Sequence, residues 1–176
     1  MLMKCICGFV HPTHGTVRVN SKVIGKDIDF PENMGVIIEN PSFISHMSGL
    51  RNLEILAGYK KCVSKEQVKK IMELVNLDPE SRLPVSKYSL GMKQRLGIGL
   101  ALVGEPDLLI LDEPINGLDP QGIAEVRDTI QRLQKERNMT ICISSHILEE
   151  LSKIATDYGI IHNGSLLQEL TREELM

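Results

Sequence analysis

The chain has 176 residues, of which 42% are hydrophobic and 24% are charged, and its formal net charge is -3 at pH 7. This composition is typical of one globular domain with a substantial core, and the small negative charge gives no support to non-specific nucleic-acid binding. Four scattered cysteines, 3% aromatic residues and no apolar run of about 20 residues argue against a disulfide framework, a base-stacking platform and a membrane span. We therefore expect a protein of a reducing, cytoplasmic compartment.

Turn signals and the spacing of apolar residues predict an alternation of strands and helices along the chain. In order, the predicted elements of the first half are the end of a helix over residues 2–10, a β-pair in TVRVN and KVIG, a strand over 34–39 (MGVIIE), and helices over 48–59, 64–77 and 89–102. Ser64 and Gln67 form a capping box at the start of one helix, and Ser89 is placed to cap another.

The second half alternates in the same way. Its predicted elements are a strand in LLILDEP, a helix from Asp119–Pro120 to about Asn138, a strand in TICISSH, a short helix over 147–153, a hairpin that turns at Asn163–Gly164, and a capped helix that begins at Thr171. Two of the strands are apolar throughout, which is typical of a parallel sheet covered on both faces. We therefore predict an α/β fold with a parallel sheet flanked by helices.

Two carboxylates, Asp112 and Glu113, stand directly after the apolar run LLIL. In an open parallel sheet, ligands bind beyond the carboxyl ends of the strands, and residues 144–146 (SSH) stand at the end of the next strand. Mg²⁺ takes one or two carboxylates together with phosphate oxygens and water, and a second carboxylate can polarise an attacking water. The alternative is an acidic turn with a structural histidine, His146, and the carboxylate pair alone does not decide between the two.

A second segment, YSLGMKQRLGIGLAL over residues 88–102, opens a helix at Ser89 and Gly91. Free backbone N–H groups and the positive end of the helix dipole favour an anion at such a position. Gly91 also lets another backbone or a phosphate approach closely. The alternative is an ordinary amphipathic helix with an N-terminal serine cap.

The ordered series MGVIIE, YSLGMKQR, LLILDEP, GLDP and SSH resembles the ATP-binding cassette (ABC) family, over essentially the whole chain. The resemblance implies a P-loop NTPase-type fold, with one domain over residues 1–176 and a helical subdomain at about 41–88. It also implies ATP and Mg²⁺ as cofactors, and hydrolysis of ATP to ADP and phosphate as the reaction.

The resemblance also implies roles for individual residues. Asp112 would associate with Mg²⁺, and Glu39, in the family's Q-loop, could bind metal or water. Glu113 would be the general base for water, and His146 would sense the γ-phosphate. The other implied nucleotide-site residues are Asp119, in a loop that communicates across a dimer, and the signature residues Ser89, Leu90, Gly91 and Met92, which contact ATP held by the opposite subunit.

The sequence departs from the family pattern at several positions. Glu39 stands where Gln is usual and adds negative charge, while Leu90 and Met92 stand where Gly and Gln are usual. No G-x-x-x-x-G-K-[ST] motif occurs, and Met1 stands where the last hydroxyl residue of that phosphate loop would be. We therefore expect the loop, the strand before it and the aromatic residue that stacks on adenine to lie upstream, which makes the chain a truncated form. A loop-free relative is the alternative.

The first functional hypothesis is the ATP-hydrolysing subunit of a membrane transporter. IIENPSF and EPINGLDP are most similar to the bacitracin and lantibiotic export subgroup, which implies export of a drug or antimicrobial peptide by a bacterial protein. The implied partners are a membrane permease, docked on the region after Glu39, and a second ATP-binding subunit in a homodimer or pseudo-dimer, with no nucleic acid. The implied location is peripheral, on the cytoplasmic face of the cell membrane. The alternatives are a soluble ABC ATPase of translation or DNA repair, and a non-catalytic dimerisation or permease-binding module.

Cys5, Cys7, His11 and His14 have the spacing C-x-C-x3-H-x2-H, which invites a zinc site. Residues two apart on a helix point to different faces, so Cys5 and Cys7 would chelate poorly if they are helical. We interpret these residues as core thiols and turn histidines.

The 176-residue chain should bind Mg-ATP very weakly and should not hydrolyse it steadily. Phosphoryl transfer depends on positioning and charge stabilisation, which the missing motif supplies to the β- and γ-phosphates. Loss of one well-placed donor costs about 3 kcal/mol in other enzymes, and here a whole set of donors is missing. Isothermal titration with Mg-ATP and a phosphate-release assay measure both properties. Micromolar binding with steady turnover would contradict the prediction.

Overall fold

The computed structural model describes residues 1–60, 63–137 and 139–175, and the chain divides into two compact units, Met1–Ser144 and Ser145–Met176. Cys62 and the predicted helix end at Asn138 lie outside the described residues.

The first unit contains a parallel sheet, a small β-pair and five helices among its described residues. The helices are α1 (Leu2–Ile6), α2 (Gly49–Lys60), α3 (Lys65–Leu74), α4 (Leu90–Leu102) and α5 (Pro120–Arg137), and the strands are β1 (Arg18–Val19), β2 (Lys22–Val23), β3 (Met34–Ile37), β4 (Leu108–Asp112) and β5 (Thr140–Ser144). A single 3-10 turn covers Val85–Lys87.

The three longer strands form the sheet, in the order β3-β4-β5, and both pairings are parallel. Leu108 of β4 is opposite Met34 of β3 and Thr140 of β5, so the three strands start level with one another. The helices between consecutive strands supply the crossover connections that parallel strands require. The predicted α/β fold with a parallel sheet is therefore confirmed.

Strand β4 forms the centre of the core. Leu109, Ile110 and Leu111 are fully buried. Side chains alternate across a strand, so Ile110 points to one face of the sheet and its two neighbours point to the other. On the first face, Ile110 packs with Met3 of α1 and with Cys7. Burial of an aliphatic side chain of this size stabilises the fold by about 1.5–3 kcal/mol.

The face that carries Leu109 lies against α4. A Cβ on Gly35 of β3 would be only 2.4 Å from the carbonyl oxygen of Ala101 and 3.1 Å from a methyl group of Leu109. A side chain at Gly35 would therefore push the strand away from the helix, and glycine is what allows the close approach.

Helix α1 is shorter than the predicted segment 2–10. It ends at Ile6, where the N–H of Gly8 donates to the carbonyl of Cys5 at 3.1 Å and the N–H of Phe9 donates to the carbonyl of Lys4 at 2.9 Å. These two bonds form a Schellman motif, and Gly8 has the left-handed conformation that the motif requires, with φ of 80°. The helix stops here because Gly8 closes it, well before Pro12.

Arg95 of α4 holds three helices together. It is buried, and its guanidinium donates to the carbonyl oxygens of Val75, at 3.3 Å, and of Asn76, just after α3. It also forms an ion pair with Glu125 of α5 at 2.8 Å. The start of α4 is therefore oriented by contacts that reach both neighbouring helices.

Two capping predictions for the first unit are confirmed. Ser64 and Gln67 make both hydrogen bonds of the capping box at the start of α3. Ser89 caps α4, its hydroxyl accepting a hydrogen bond from the N–H of Met92 at 3.1 Å. Both helices therefore begin where the sequence predicts, because the caps satisfy N–H groups that the helix itself leaves unpaired.

The second unit is built on a β-hairpin. It contains α6 (Leu148–Leu151), β6 (Asp157–His162), β7 (Ser165–Thr171) and α7 (Arg172–Leu175). The two strands are antiparallel, and Asn163 and Gly164 both have the positive φ angles that a tight hairpin turn needs. The predicted hairpin is confirmed, whereas the predicted helix over 147–153 is reduced to the single turn of α6.

The helices in the described parts of the chain fall short of what a bilayer crossing needs in length and apolar character. The longest, α5, has 18 residues and carries charged side chains along its length.

Candidate functional site

Strands β4 and β5 end at Asp112 and Ser144, which are partners in the parallel register. The Ser144 hydroxyl donates a hydrogen bond to Oδ1 of Asp112 at 2.5 Å and accepts one from the N–H of Glu113 at 2.9 Å. One serine therefore fixes both the Asp112 side chain and the backbone of Glu113. The sequence places Ser144 in the SSH segment, but its role as the connecting residue follows only from the strand register.

Glu113 turns sharply out of β4. Its φ angle is 50°, a left-handed value that is uncommon for residues other than glycine. The turn continues with a hydrogen bond from the N–H of Asn116 to the carbonyl of Glu113 at 3.1 Å. A non-glycine residue in this conformation stores strain, and such strain is common at functional sites. The side chain of Glu113 is half-buried beyond the end of the strand.

Glu39 follows the neighbouring strand, β3, and also has a left-handed conformation, with φ of 67°. Its carboxylate forms an ion pair with Nζ of Lys4 on α1 at 2.8 Å. The hydrogen bond to Glu39 raises the pKa of Lys4, the charge of Glu39 raises it further, and the charge of Asp112 adds a smaller contribution. Glu39 is thus engaged by a lysine in this structure.

The predicted signature residues lie at the exposed start of α4. Ser89 and Leu90 are exposed, Met92 is half-buried and Gly91 is buried. A Cβ on Gly91 would be 3.4 Å from the Cα of Gly122 on α5. The close approach that Gly91 permits is therefore made by a backbone, that of the neighbouring helix.

Asp119 caps the start of α5, because its carboxylate accepts a hydrogen bond from the N–H of Gly122 at 3.0 Å. Leu90 lies beside this turn, with a methyl group 3.7 Å from the position of a Cβ on Gly117. Helix packing thus brings the signature residues and the loop of Asp119 together. These two groups are distant in the sequence, and the contact between α4 and α5 joins them.

His146 belongs to the second unit, Ser145–Met176. It stands between Ser145 and Ile147, and the Ser145 hydroxyl accepts a hydrogen bond from the N–H of Ile147 at 3.0 Å. The expected convergence of His146 with Asp112 and Glu113 stays a prediction.

The four residues of the possible zinc site differ in environment. Cys7 is fully buried, Cys5 is half-buried, and His11 and His14 are exposed. Burial raises the pKa of the Cys7 thiol to about 11, with smaller contributions from Cys142 and Asp112. A raised pKa disfavours the thiolate that binds zinc, so the environment of Cys7 favours the core-thiol interpretation.

The end of the sheet presents carboxylate oxygens, which could contribute to holding a cation that shares its ligands with a bound anion. Over the described ranges, no group of three or more His, Cys, Asp or Glu side chains is arranged to hold a metal ion. Mg²⁺ does not require one, because it keeps water molecules and takes one or two carboxylates together with phosphate oxygens. Asp112, held by Ser144, is the residue that would hold such an ion.

Comparison with known proteins identifies the family of this chain. Residues 1–116 match the family described as "ABC transporter". The chain is 48% identical over 174 residues to the bacitracin transport ATP-binding protein BcrA of Enterococcus faecalis, covering 98% of the chain and 56% of that relative. It is 38% identical to the lantibiotic transport ATP-binding protein SrtF of Streptococcus pyogenes, covering 96% of the chain and 72% of that relative. The chain therefore belongs to the ABC transporter family.

The fold is similar to that of cbiO1 from Clostridium perfringens, a part of the ABC transporter complex cbiONQ. The TM-score is 0.85 at 24% sequence identity, and the match covers 99% of the chain and 72% of cbiO1. At this identity the likeness concerns the fold alone. The chain spans little more than half the length of BcrA, which bears on how its function is tested.

Replacing Ser144 by Ala should lower the free energy of unfolding by about 1–3 kcal/mol, because the Glu113 N–H loses its acceptor and the Asp112 carboxylate loses its donor. Thermal and urea unfolding of the 176-residue chain measure the change. The exposed Ser42 supplies the control, since Ser42→Ala should change stability by less than about 0.5 kcal/mol. Equal effects of the two substitutions would contradict the role assigned to Ser144.

Proposed function

We propose that this chain is a part of the ATP-binding and ATP-hydrolysing subunit of an ABC transporter, and that the whole subunit couples hydrolysis to transport across a membrane. The observation that carries the proposal is the connected group at the end of β4, where Ser144 joins Asp112 to the backbone of Glu113. Family membership supports the reaction, and the geometry supports the division of roles between the two carboxylates.

Asp112 and Glu113 take different roles because their environments differ. Asp112 accepts a short hydrogen bond from Ser144, which orients its carboxylate to hold Mg²⁺. Glu113 lies beyond the strand on a backbone fixed by the same serine, and its carboxylate accepts a proton from the attacking water. The water oxygen forms a bond to the γ-phosphorus, the bond from that phosphorus to the β-phosphate oxygen breaks, and ADP and phosphate leave. Bound Mg²⁺ supplies charge neutralisation at the phosphate oxygens.

We propose further that the chain acts as a homodimer or pseudo-dimer. Ser89 and Leu90 are exposed at the start of α4, where backbone N–H groups and the helix dipole favour an anion. In the dimer these residues, with Gly91 and Met92, contact nucleotide held by the opposite subunit. Asp119 lies beside these residues, and this proximity supports the proposal that it communicates between the two sites. His146 keeps the role that the family resemblance implies for it, that of a residue that senses the γ-phosphate.

Export of a drug or antimicrobial peptide is the transport function we propose. Two similar proteins, BcrA and SrtF, are described as bacitracin and lantibiotic transport proteins, and each covers nearly the whole chain. This similarity favours peptide antibiotics as the class of substrate that the whole protein exports.

The proposed permease surface is the stretch from Glu39 to Arg51, which leads from the end of β3 into α2. Ile44 is 38% exposed in this stretch, and its N–H and carbonyl are both held by the buried Asn52. An exposed apolar side chain on a backbone that is held in this way suits a surface that docks on a membrane subunit. Docking there would place the protein on the inner face of the cell membrane.

The soluble ABC ATPase of translation or DNA repair and the non-catalytic module are the competing proposals. The presence of a carboxylate at Glu113, the position of the proposed base, favours a catalytic role over a non-catalytic one. The similarity to transport proteins favours a permease over a ribosome or DNA as partner.

Replacing Glu113 by Gln should abolish ATP turnover while preserving ATP binding. The test uses the chain extended at its N-terminus with a segment that contains the phosphate-loop motif. Loss of a general base lowers the rate by about 100-fold or more, whereas the neutral isostere keeps the shape of the site. Phosphate release measures turnover, and isothermal titration with Mg-ATP measures binding. Glu136→Gln, at an exposed position on α5, is the matched control and should keep the parent rate. Parent-rate turnover by Glu113→Gln would refute the assignment of the base.

The extended chain should also recover a polytopic permease from bacterial membranes. Affinity capture followed by mass spectrometry identifies the partner, and Ile44→Asp should reduce recovery about tenfold because it places a charge in the apolar contact. Phe30→Asp is the control, since Phe30 is 59% exposed but lies outside the Glu39–Arg51 stretch. Recovery of ribosomes or DNA in place of a permease would support the competing soluble ATPase.

A further inference from the structure

The ion pair between Lys4 and Glu39 joins α1 to the end of the sheet that carries the proposed site. Nζ of Lys4 lies 2.8 Å from Oε1 of Glu39. The Lys4 side chain is 37% exposed and that of Glu39 is 73% exposed, so both groups are in contact with solvent. An exposed pair of this kind contributes little to stability, so any role it has comes from where it places its two charges.

Glu39 occupies a position equivalent to that of Glu113 on the neighbouring strand. Ile37 of β3 is opposite Leu111 of β4, and each of the two glutamates stands two residues beyond its paired position. Both glutamates have left-handed φ angles, 67° for Glu39 and 50° for Glu113. The chain therefore turns in the same way at the ends of two adjacent strands and places a carboxylate at each turn.

With Asp112, these residues give the end of the sheet three carboxylates. Glu39 adds one negative charge to those of Asp112 and Glu113. A site with an extra negative charge attracts divalent cations more strongly and repels the phosphate oxygens that accompany them. Lys4 is a cation in direct contact with that extra carboxylate. The charge of Asp112 also contributes to the raised pKa of Lys4.

We infer that Lys4 is a charge-compensating positioning residue of the nucleotide site. It holds the Glu39 carboxylate toward α1 and offsets its charge, so Glu39 changes the field at a metal held by Asp112 less than an unpaired carboxylate would. This inference rests on the proposed function, because it takes the end of the sheet as the place where Mg²⁺ binds.

Titration of the 176-residue chain with Mn²⁺ tests the inference without any measurement of hydrolysis. Electron paramagnetic resonance measures free Mn²⁺ at low ionic strength, in the absence of nucleotide. The variants are Lys4→Met, Glu39→Gln, the double variant and Lys4→Arg, with Asp112→Asn as the reference for loss of the site. Thermal unfolding of each variant establishes that it is folded.

The expected pattern follows from the sum of the charges. Lys4→Met should tighten Mn²⁺ binding about threefold and Glu39→Gln should weaken it about threefold, because each removes one exposed charge near the metal. The Mn²⁺ affinity of the double variant should lie within about twofold of that of the parent chain. The affinity of Lys4→Arg should also lie within that range, because the compensation depends on the positive charge and not on the ammonium group itself. In 0.5 M KCl the screening length is about 4–5 Å, so the differences in Mn²⁺ affinity between the variants should shrink.

A second exposed ion pair supplies the matched control. Lys69 of α3 pairs with Glu80 at 2.6 Å. Lys69→Met removes the same charge and the same type of side chain, but from a helix that is not part of the sheet. It should leave the Mn²⁺ affinity within about twofold of the parent value.

The outcomes separate this inference from the proposed function. If Asp112→Asn abolishes Mn²⁺ binding but Lys4→Met has no more effect than Lys69→Met, the role of Lys4 is overturned and the metal site stands. A double variant that binds as weakly as Glu39→Gln alone also overturns it, because Lys4 then compensates nothing. If Asp112→Asn leaves Mn²⁺ binding unchanged, the metal does not bind at this end of the sheet, and both the proposed site and the inference fall.

Discussion

The complete burial of β4 is the constraint on which the rest of the first unit depends. Leu109, Ile110 and Leu111 are inaccessible to solvent, with α1 on one face of the strand and α4 on the other. A strand buried on both faces cannot carry charge along its length without a large desolvation cost. Polar chemistry is therefore confined to the point where the strand ends, and the two carboxylates stand there. The hydrophobic core in this way determines the location of the site.

The parallel register determines how the polar side chains are arranged at the end of the sheet. Because β4 and β5 start level, they also end level, and a serine on one strand is opposite an aspartate on the other. The hydroxyl of Ser144 can then donate to Asp112 and accept from the next N–H at the same time. Hydrogen bonds to a carboxylate are among the stronger ones in proteins. A single residue thus stabilises a strained turn and aligns the proposed metal ligand.

The second part of the site depends on contacts between helices. Gly91 and Gly122 allow α4 and α5 to approach closely, and Arg95 fixes the same pair of helices through Glu125. The first contact is steric and the second is electrostatic, and together they set the position of the exposed turn at Ser89. Removing Arg95 would leave Glu125 half-buried and without that partner, which would destabilise the contact between α4 and α5. The same contact positions the proposed site residues at the start of α4.

The sequence by itself determined the local structure and the identity of the carboxylates. Apolar runs predicted β3, β4 and β5, the caps at Ser64 and Ser89 predicted helix starts, and the Asn163–Gly164 turn predicted the hairpin, because these signals act between residues close in the chain. Only the tertiary structure decided that Ser144 connects the Asp112 carboxylate to the backbone of Glu113, that Lys4 pairs with Glu39, and that Gly91 meets another helix. These partners are 30 or more residues apart, and their meeting depends on strand register and helix packing, which no local pattern encodes.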